Sequence, residues 1–148
     1  MFKHVLIPTD GSALSMKAVE GGIALAQATG AKITVLTIIE PSGVLGTDSK
    51  RVAATRKAYE QHARDQAERT LKEAERKAKG QGVPCTTIRK ENKQPYQAII
   101  ETATRKGCDL IVMASHGRRG VAALVLGSET SKVLTHSTIP VLVFRSRP

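Results

Sequence analysis

Short aliphatic runs recur along this chain, and most of them are followed by a turn and then by residues at helical spacing. Phe2–Thr9 carries Val5, Leu6 and Ile7; Lys32–Ile39 reads KITVLTII; Asp109–Ser115 reads DLIVMAS; Pro140–Arg145 reads PVLVFR. A strand with one wet face alternates apolar and polar residues, whereas a strand covered on both faces reads as a continuous apolar run. These runs, with a shorter one at Cys85–Arg89, therefore predict strands sandwiched between helices. The segments between them supply the helices.

From Ser12 to Thr29, Leu14, Ala18 and Leu25 recur on one face with Val19, Ile23 and Ala26 beside them, and Gly30 ends the pattern as a C-cap glycine. Gly21-Gly22 in its middle costs about 1 kcal/mol per glycine relative to alanine, a cost that close packing on a sheet would explain. Val44–Ser49 reads as loop. Lys50–Lys79 is a long charged helix with a sparse stripe of Val52, Tyr59, Ala63, Ala67, Leu71, Ala74 and Ala78. Its basic residues are interleaved with Glu60, Asp65, Glu68, Glu73 and Glu75, the pattern of a solvated face laced with ion pairs rather than of a nucleic-acid surface. Gly80–Pro84 is a turn. Pro95 opens a helix whose apolar face is Tyr96, Ile99, Ile100 and Ala103 and which stops at Gly107; Ser128–His136 is the last helix.

Strands alternating with helices give the α/β class. The expected fold is a five-stranded, mostly parallel, Rossmann-like sheet of order 3-2-1-4-5 with helices on both faces. A length of 148 residues suits one domain over 1–148. Aromatics make up 3% of the chain with no Trp, so the core is aliphatic and stacking platforms for single-stranded nucleic acid are missing. The net charge of +10 favours anionic partners without choosing among them. Cys85 and Cys108 form no disulfide or metal pattern and read as packing thiols. With no signal-peptide pattern and no apolar run long enough to span a bilayer, the expected compartment is the cytoplasm and no membrane partner is expected.

In an open α/β sheet, ligands bind beyond the carboxyl ends of the strands where strand order reverses. Here that crevice falls between strands one and four. Strand one ends in Pro8-Thr9-Asp10-Gly11-Ser12, strand four in Ala114-Ser115-His116-Gly117. Gly117 lets a backbone approach closely. Gly127-Ser128 opens a helix, whose first amides and positive dipole end suit a phosphate; the Ser128 and Thr130 hydroxyls would add hydrogen bonds and Arg118 and Arg119 guanidinium forks. The alternative is that Ser128 is a plain N-cap and the arginines are solvated. Asp10 is either a Mg²⁺ ligand or an Asx-turn residue. His116 is either a donor to phosphate or a solvated loop side chain. There is no G-x-x-x-x-G-K-[ST] loop and no H-E-x-x-H. No catalytic residue is assigned.

The strand-four stretch also carries a family signature: a small residue, two residues, Gly117, nine residues, then Gly127-Ser128. With PTDGS after strand one and an aliphatic strand two ending Ile38-Ile39-Glu40, the chain resembles the universal stress protein family over nearly its whole length. Ala114 stands where the nucleotide-binding members carry glycine. Alanine tolerates extended backbone there but not a positive φ.

The resemblance implies an ATP site (or ADP or AMP, with Mg²⁺ at Asp10). In it Pro8, Thr9 and Asp10 line the adenine and ribose end and Ile38 packs on the base. Ala114, Ser115, His116, Gly117, Arg118, Arg119 and Gly120 wrap ribose and phosphates; Gly127, Ser128, Glu129 and Thr130 complete the phosphate cradle. It further implies a homodimer seamed along Pro140–Phe144, and a nucleotide-responsive stress or regulatory protein with slow or no hydrolysis, at most a weak ATPase. The other reading is a nucleotide-free dimeric interaction module.

Overall fold

The computed structural model describes residues 1–41, 50–117 and 125–146, with the backbone alone for 50–53. The expected Val44–Ser49 loop lies outside the described residues. The elements follow in the order β1 (His4–Pro8), α1 (Ala13–Thr29), β2 (Lys32–Ile39), α2 (Lys50–Gly80), β3 (Cys85–Glu91), α3 (Pro95–Arg105), β4 (Leu110–Ala114), α4 (Ser128–His136) and β5 (Val141–Phe144). The strands form one sheet of order β3-β2-β1-β4-β5, and every pairing is parallel.

Successive strand residues point to opposite faces, and the core divides accordingly. Val5, Ile7, Ile33, Val35 and Val112 pack with Ala18, Val19 and Ile23 of α1 and Leu71, Ala74 and Ala78 of α2. Leu6, Leu36, Ile111 and Met113 pack on the other side with Ile99 and Ala103 of α3 and Val133 of α4. The continuous apolar runs are continuous because both faces are covered.

The glycine pair in α1 has a steric cause. A Cβ on Gly21 would collide with the ring of Phe144 on β5, and one on Gly22 would come within 2.5 Å of Ile7 Cδ1. The helix therefore rides closer to the sheet than an alanine would permit, which offsets the poor helix propensity of glycine.

Several strand ends differ from expectation, among them those of β5, which spans Val141–Phe144 rather than Pro140–Arg145. β1 and β4 are shorter than Phe2–Thr9 and Asp109–Ser115, because Thr9, Asp109 and Ser115 are held by turn and side-chain hydrogen bonds. β3 runs on to Glu91, which stays in register with Ile39. Cys108 is buried and Cys85 half-buried; burial, with Asp109 near the first and Glu75 near the second, pushes both thiols up to about 11. They stay protonated near neutrality and act as packing groups.

Candidate functional site

At the end of β1 the turn satisfies itself. The Thr9 amide donates to Leu36 O (2.9 Å), and Thr37 Oγ1 donates to Thr9 O (3.0 Å). Thr9 Oγ1 lies 2.7 Å from Ser15 Oγ, and Ser15 Oγ donates to Asp10 Oδ1 at 2.9 Å. Running the protons from Thr9 to Ser15 to Asp10 gives every hydroxyl one donated hydrogen. The Ser12 amide donates to Asp10 Oδ1 (2.9 Å), so Asp10 does make the Asx turn. Gly11 sits at φ 81, a conformation that favours glycine.

The turn after β4 meets this one. A Cβ on Gly117 would strike Asp10 Oδ2, so the missing side chain makes room for the carboxylate of the other turn. Ser115 is buried; its amide donates to Phe144 O (2.8 Å) and its carbonyl accepts from the Gly127 amide (2.6 Å). A Cβ on Gly127 would stand 3.0 Å from Ser115 O and 3.1 Å from His116 Cα. Glycine thus lets the start of α4 lie against the end of β4. His116 Nδ1 lies 3.2 Å from Ser115 Oγ.

Helix α4 does not start on Ser128 as an N-cap. Its N-cap is Gly127, with no side-chain cap, and Ser128 is the first helical residue. The Ser128 hydroxyl is therefore not spent on capping, and the amides of Ser128, Glu129 and Thr130 have no intrahelical acceptor. Two neighbouring side chains are occupied. Thr130, 2% exposed, donates its hydroxyl to Ala114 O at 2.9 Å, which pins α4 to β4 instead of offering that proton to a phosphate. Glu129 Oε2 accepts the Tyr96 amide at 2.8 Å, capping α3, whose own N-cap Gln94 makes no side-chain cap. Glu129 contributes its amide to the cleft while its carboxylate serves the neighbouring helix.

Two adjoining cavities lie above these turns. The smaller, about 180 Å³, is bounded by strand ends and α3 and includes Pro8, Thr9, Leu36, Met113 and Ala114. The larger, about 540 Å³, lies between the start of α4 and the flank of α2 and includes Gly127 and Ser128. Asp10, Ile38, His116, Gly117, Glu129 and Thr130 line both. The structure thus brings together the expected site residues except Ser115, which lies behind the wall, and Arg118, Arg119 and Gly120, which fall outside the described residues. Ala114 ends β4 in register with Phe144; its backbone is ordinary strand, so replacing glycine there imposes no positive φ. Among the described residues no group of three or more His, Cys, Asp or Glu is placed to hold a metal.

The sequence pattern of the universal stress protein family matches residues 1–145. The chain belongs to that family. It is 31% identical to universal stress protein YxiE of Bacillus subtilis across 98% of this chain and 100% of the relative. Its fold matches the solved structure of MJ0577, a universal stress protein of Methanocaldococcus jannaschii, with a TM-score of 0.84 at 24% identity, covering 100% and 99% of the two chains. It also matches a universal stress protein solved in complex with cAMP, with a TM-score of 0.73 at 24% identity over 99% of each chain.

In this universal stress protein the cleft has a wall that sequence reasoning assigned elsewhere. Tyr59, placed in the apolar stripe of α2, is 52% exposed and lines the larger cavity with Gln66 and Thr70. Lower down the stripe holds, with Ala67, Leu71, Ala74 and Ala78 buried; the side chain of Val52, expected at its start, lies outside the described residues. Ser15, in the first turn of α1, is the hydroxyl that joins Thr9 to Asp10. A long helix set beside short strands is the signal that could have shown α2 overhanging the cleft.

Proposed function

We propose that the protein binds an adenine nucleotide, ATP or its ADP and AMP forms, and serves as a nucleotide-responsive stress or regulatory protein. One observation carries the reading: three amides at the start of α4, without intrahelical acceptors, border a cavity that continues into an apolar slot between the ends of β1 and β4. Amides and dipole suit an anion; Pro8, Leu36, Ile38 and Met113 suit the faces of a base. The donor set therefore fits a nucleotide, with the Ser128 hydroxyl as an additional donor. The cAMP complex of a family member supports the same class of ligand.

A Mg²⁺ ion bound with the nucleotide would find the Asp10 carboxylate at the end of β1 and take further ligands from phosphate and water. Asp10 Oδ1 already accepts two hydrogen bonds within its own turn. The Glu129 carboxylate is committed to α3, and in this reading hydrolysis is slow or absent. β5 ends the sheet and carries Leu142 at 42% exposure; an apolar edge of this kind is an aggregation liability unless covered, which supports pairing of Pro140–Phe144 in a homodimer. No helix among the described residues is long and apolar enough to cross a membrane, and we place the protein's work in the cytoplasm.

Equilibrium dialysis against labelled ATP with Mg²⁺ tests the reading. Saturable retention of one nucleotide per chain is expected. Absence of retention at millimolar ATP would overturn it in favour of a nucleotide-free interaction module.

A further inference from the structure

Helix α2 is 31 residues long, about 46 Å at the helical rise, whereas the strands it packs on, β2 and β3, have eight and seven residues, about 23–26 Å. It runs back along the sheet from the end of β2, so its first half stands beyond the carboxyl edge. The ion pairs Arg89–Glu68 (3.1 Å) and Arg64–Glu91 (3.8 Å) tie it to β3. Tyr59, Ala63, Gln66, Ala67 and Thr70 recur at the spacing of one helical face and all line the larger cavity. Opposite them, across the end of the sheet, are the open amides of α4.

This face differs from the rest of its helix. None of the five is charged, although Arg64, Arg69 and Lys57 sit at adjoining positions. The phenol of Tyr59, the carboxamide of Gln66 and the hydroxyl of Thr70 have no hydrogen-bond partner among the described residues. A wall meant for phosphate would use guanidinium or ammonium groups. Neutral donors and acceptors, with an aromatic ring at the rim, match the edge and face of a base and the hydroxyls of a sugar. Ala63 between them keeps the face shallow enough to admit one.

We propose that Tyr59, Gln66 and Thr70 of α2 form a specificity wall that meets the sugar and the outward edge of the base, whose faces lie in the slot at Ile38, which lines both cavities, while α4 holds the phosphates. This rests on the nucleotide reading above. The wall discriminates among nucleosides and contributes nothing to the anion.

Tyr59→Ala and Gln66→Ala are the tests, since neither side chain is fully buried and neither is hydrogen-bonded within the protein. Binding of ATP, GTP and inorganic tripolyphosphate is measured by calorimetry for the parent and both variants. ATP affinity is expected to fall about fivefold per variant, the worth of one neutral hydrogen bond, with the preference between ATP and GTP reduced and tripolyphosphate affinity unchanged. If the parent binds ATP and both variants match it within about twofold, less than such a bond is worth, the wall is overturned and the nucleotide site stands. If tripolyphosphate weakens in step with ATP, the wall is likewise overturned, because the residues then act on the phosphate end or on the fold. A parent that binds no ATP removes the nucleotide reading and the wall together.

Discussion

Strands β1 and β4 run side by side, and the two ends of that pair treat their backbone amides in opposite ways. At the amino end, the Asp109 carboxylate takes the Lys3 amide at 2.9 Å and the His4 amide at 3.1 Å, while the Asp109 amide returns to His4 O at 2.9 Å. Donors and acceptors there are matched within the chain. At the carboxyl end the acceptors are also used up: Asp10 by Ser12 and Ser15, Ala114 O by Thr130, Ser115 O by Gly127. The donors are not, since the first amides of α4 find no acceptor in their own helix. The closed end holds the sheet together. The open end has a surplus of N–H groups, and that surplus suits it to an anion.

The largest expected effect falls on the open end. In Gly127→Val the new side chain must push against Ser115 O and His116 Cα, moving the α4 amides off the cavity. ATP affinity should drop at least tenfold by dialysis, with a stability loss of about 1–3 kcal/mol typical of overpacking seen in urea unfolding. Unchanged affinity would mean the amides are not the anion site. The converse change is Asp109→Ala. It should lower stability by about 1–2 kcal/mol, because two amides lose a charged acceptor and solvent screening limits the cost, and it should leave ATP affinity alone.

The closed end should also respond to acid, in two stages. Burial, and then Lys32, lowers the pKa of His4, whose ring lies 2.7 Å from Thr34 Oγ1. Burial pushes the Asp109 carboxyl up, but the Lys3 and His4 amides outweigh it and hold the group below the usual carboxylate value. Both folded values lie below the unfolded ones. The stability each supplies is therefore complete above its unfolded pKa and is lost as pH falls. Urea midpoints should decline first below about pH 6.5, through His4, and again below about 3.8, through Asp109. His4→Gln should flatten the first decline and leave the second. The smallest effect is expected from Ala114→Gly, where the backbone is already strand. ATP affinity should hold within about twofold, with a stability loss of about 0.5–1 kcal/mol from backbone entropy. A marked gain in affinity would mean that the Ala114 methyl group obstructs the ligand.

The fold was legible because it follows from short-range chemistry. KITVLTII and DLIVMAS have no polar face to turn outward, and that alone requires helices on both sides. The strand order and the location of the crevice come with the same pattern. The site was legible in outline, through the two small-residue turns and Gly127-Ser128. What was not legible depends on partners far apart in sequence. The carboxylate of Glu129 looks available to the cleft until Tyr96, 33 residues earlier, is seen to use it, leaving the amide alone to face the cleft. Thr130 looks like a phosphate ligand until its hydroxyl is found on Ala114 O. Tyr59 fits an apolar stripe at helical spacing, and only the mismatch in length between α2 and the sheet takes it out of the core. Asp109 reads as the start of a strand, although its side chain is what joins two of them.

Ser115 receives the outermost strand through its N–H and the first turn of α4 through its C=O, so a single residue acts as a splice between the rim of the molecule and the cleft. The path from Phe144 to Gly127 passes through the two peptide units that meet at the Ser115 Cα. The outer edge of the sheet and the mouth of the cleft are therefore one residue apart along a hydrogen-bonded path.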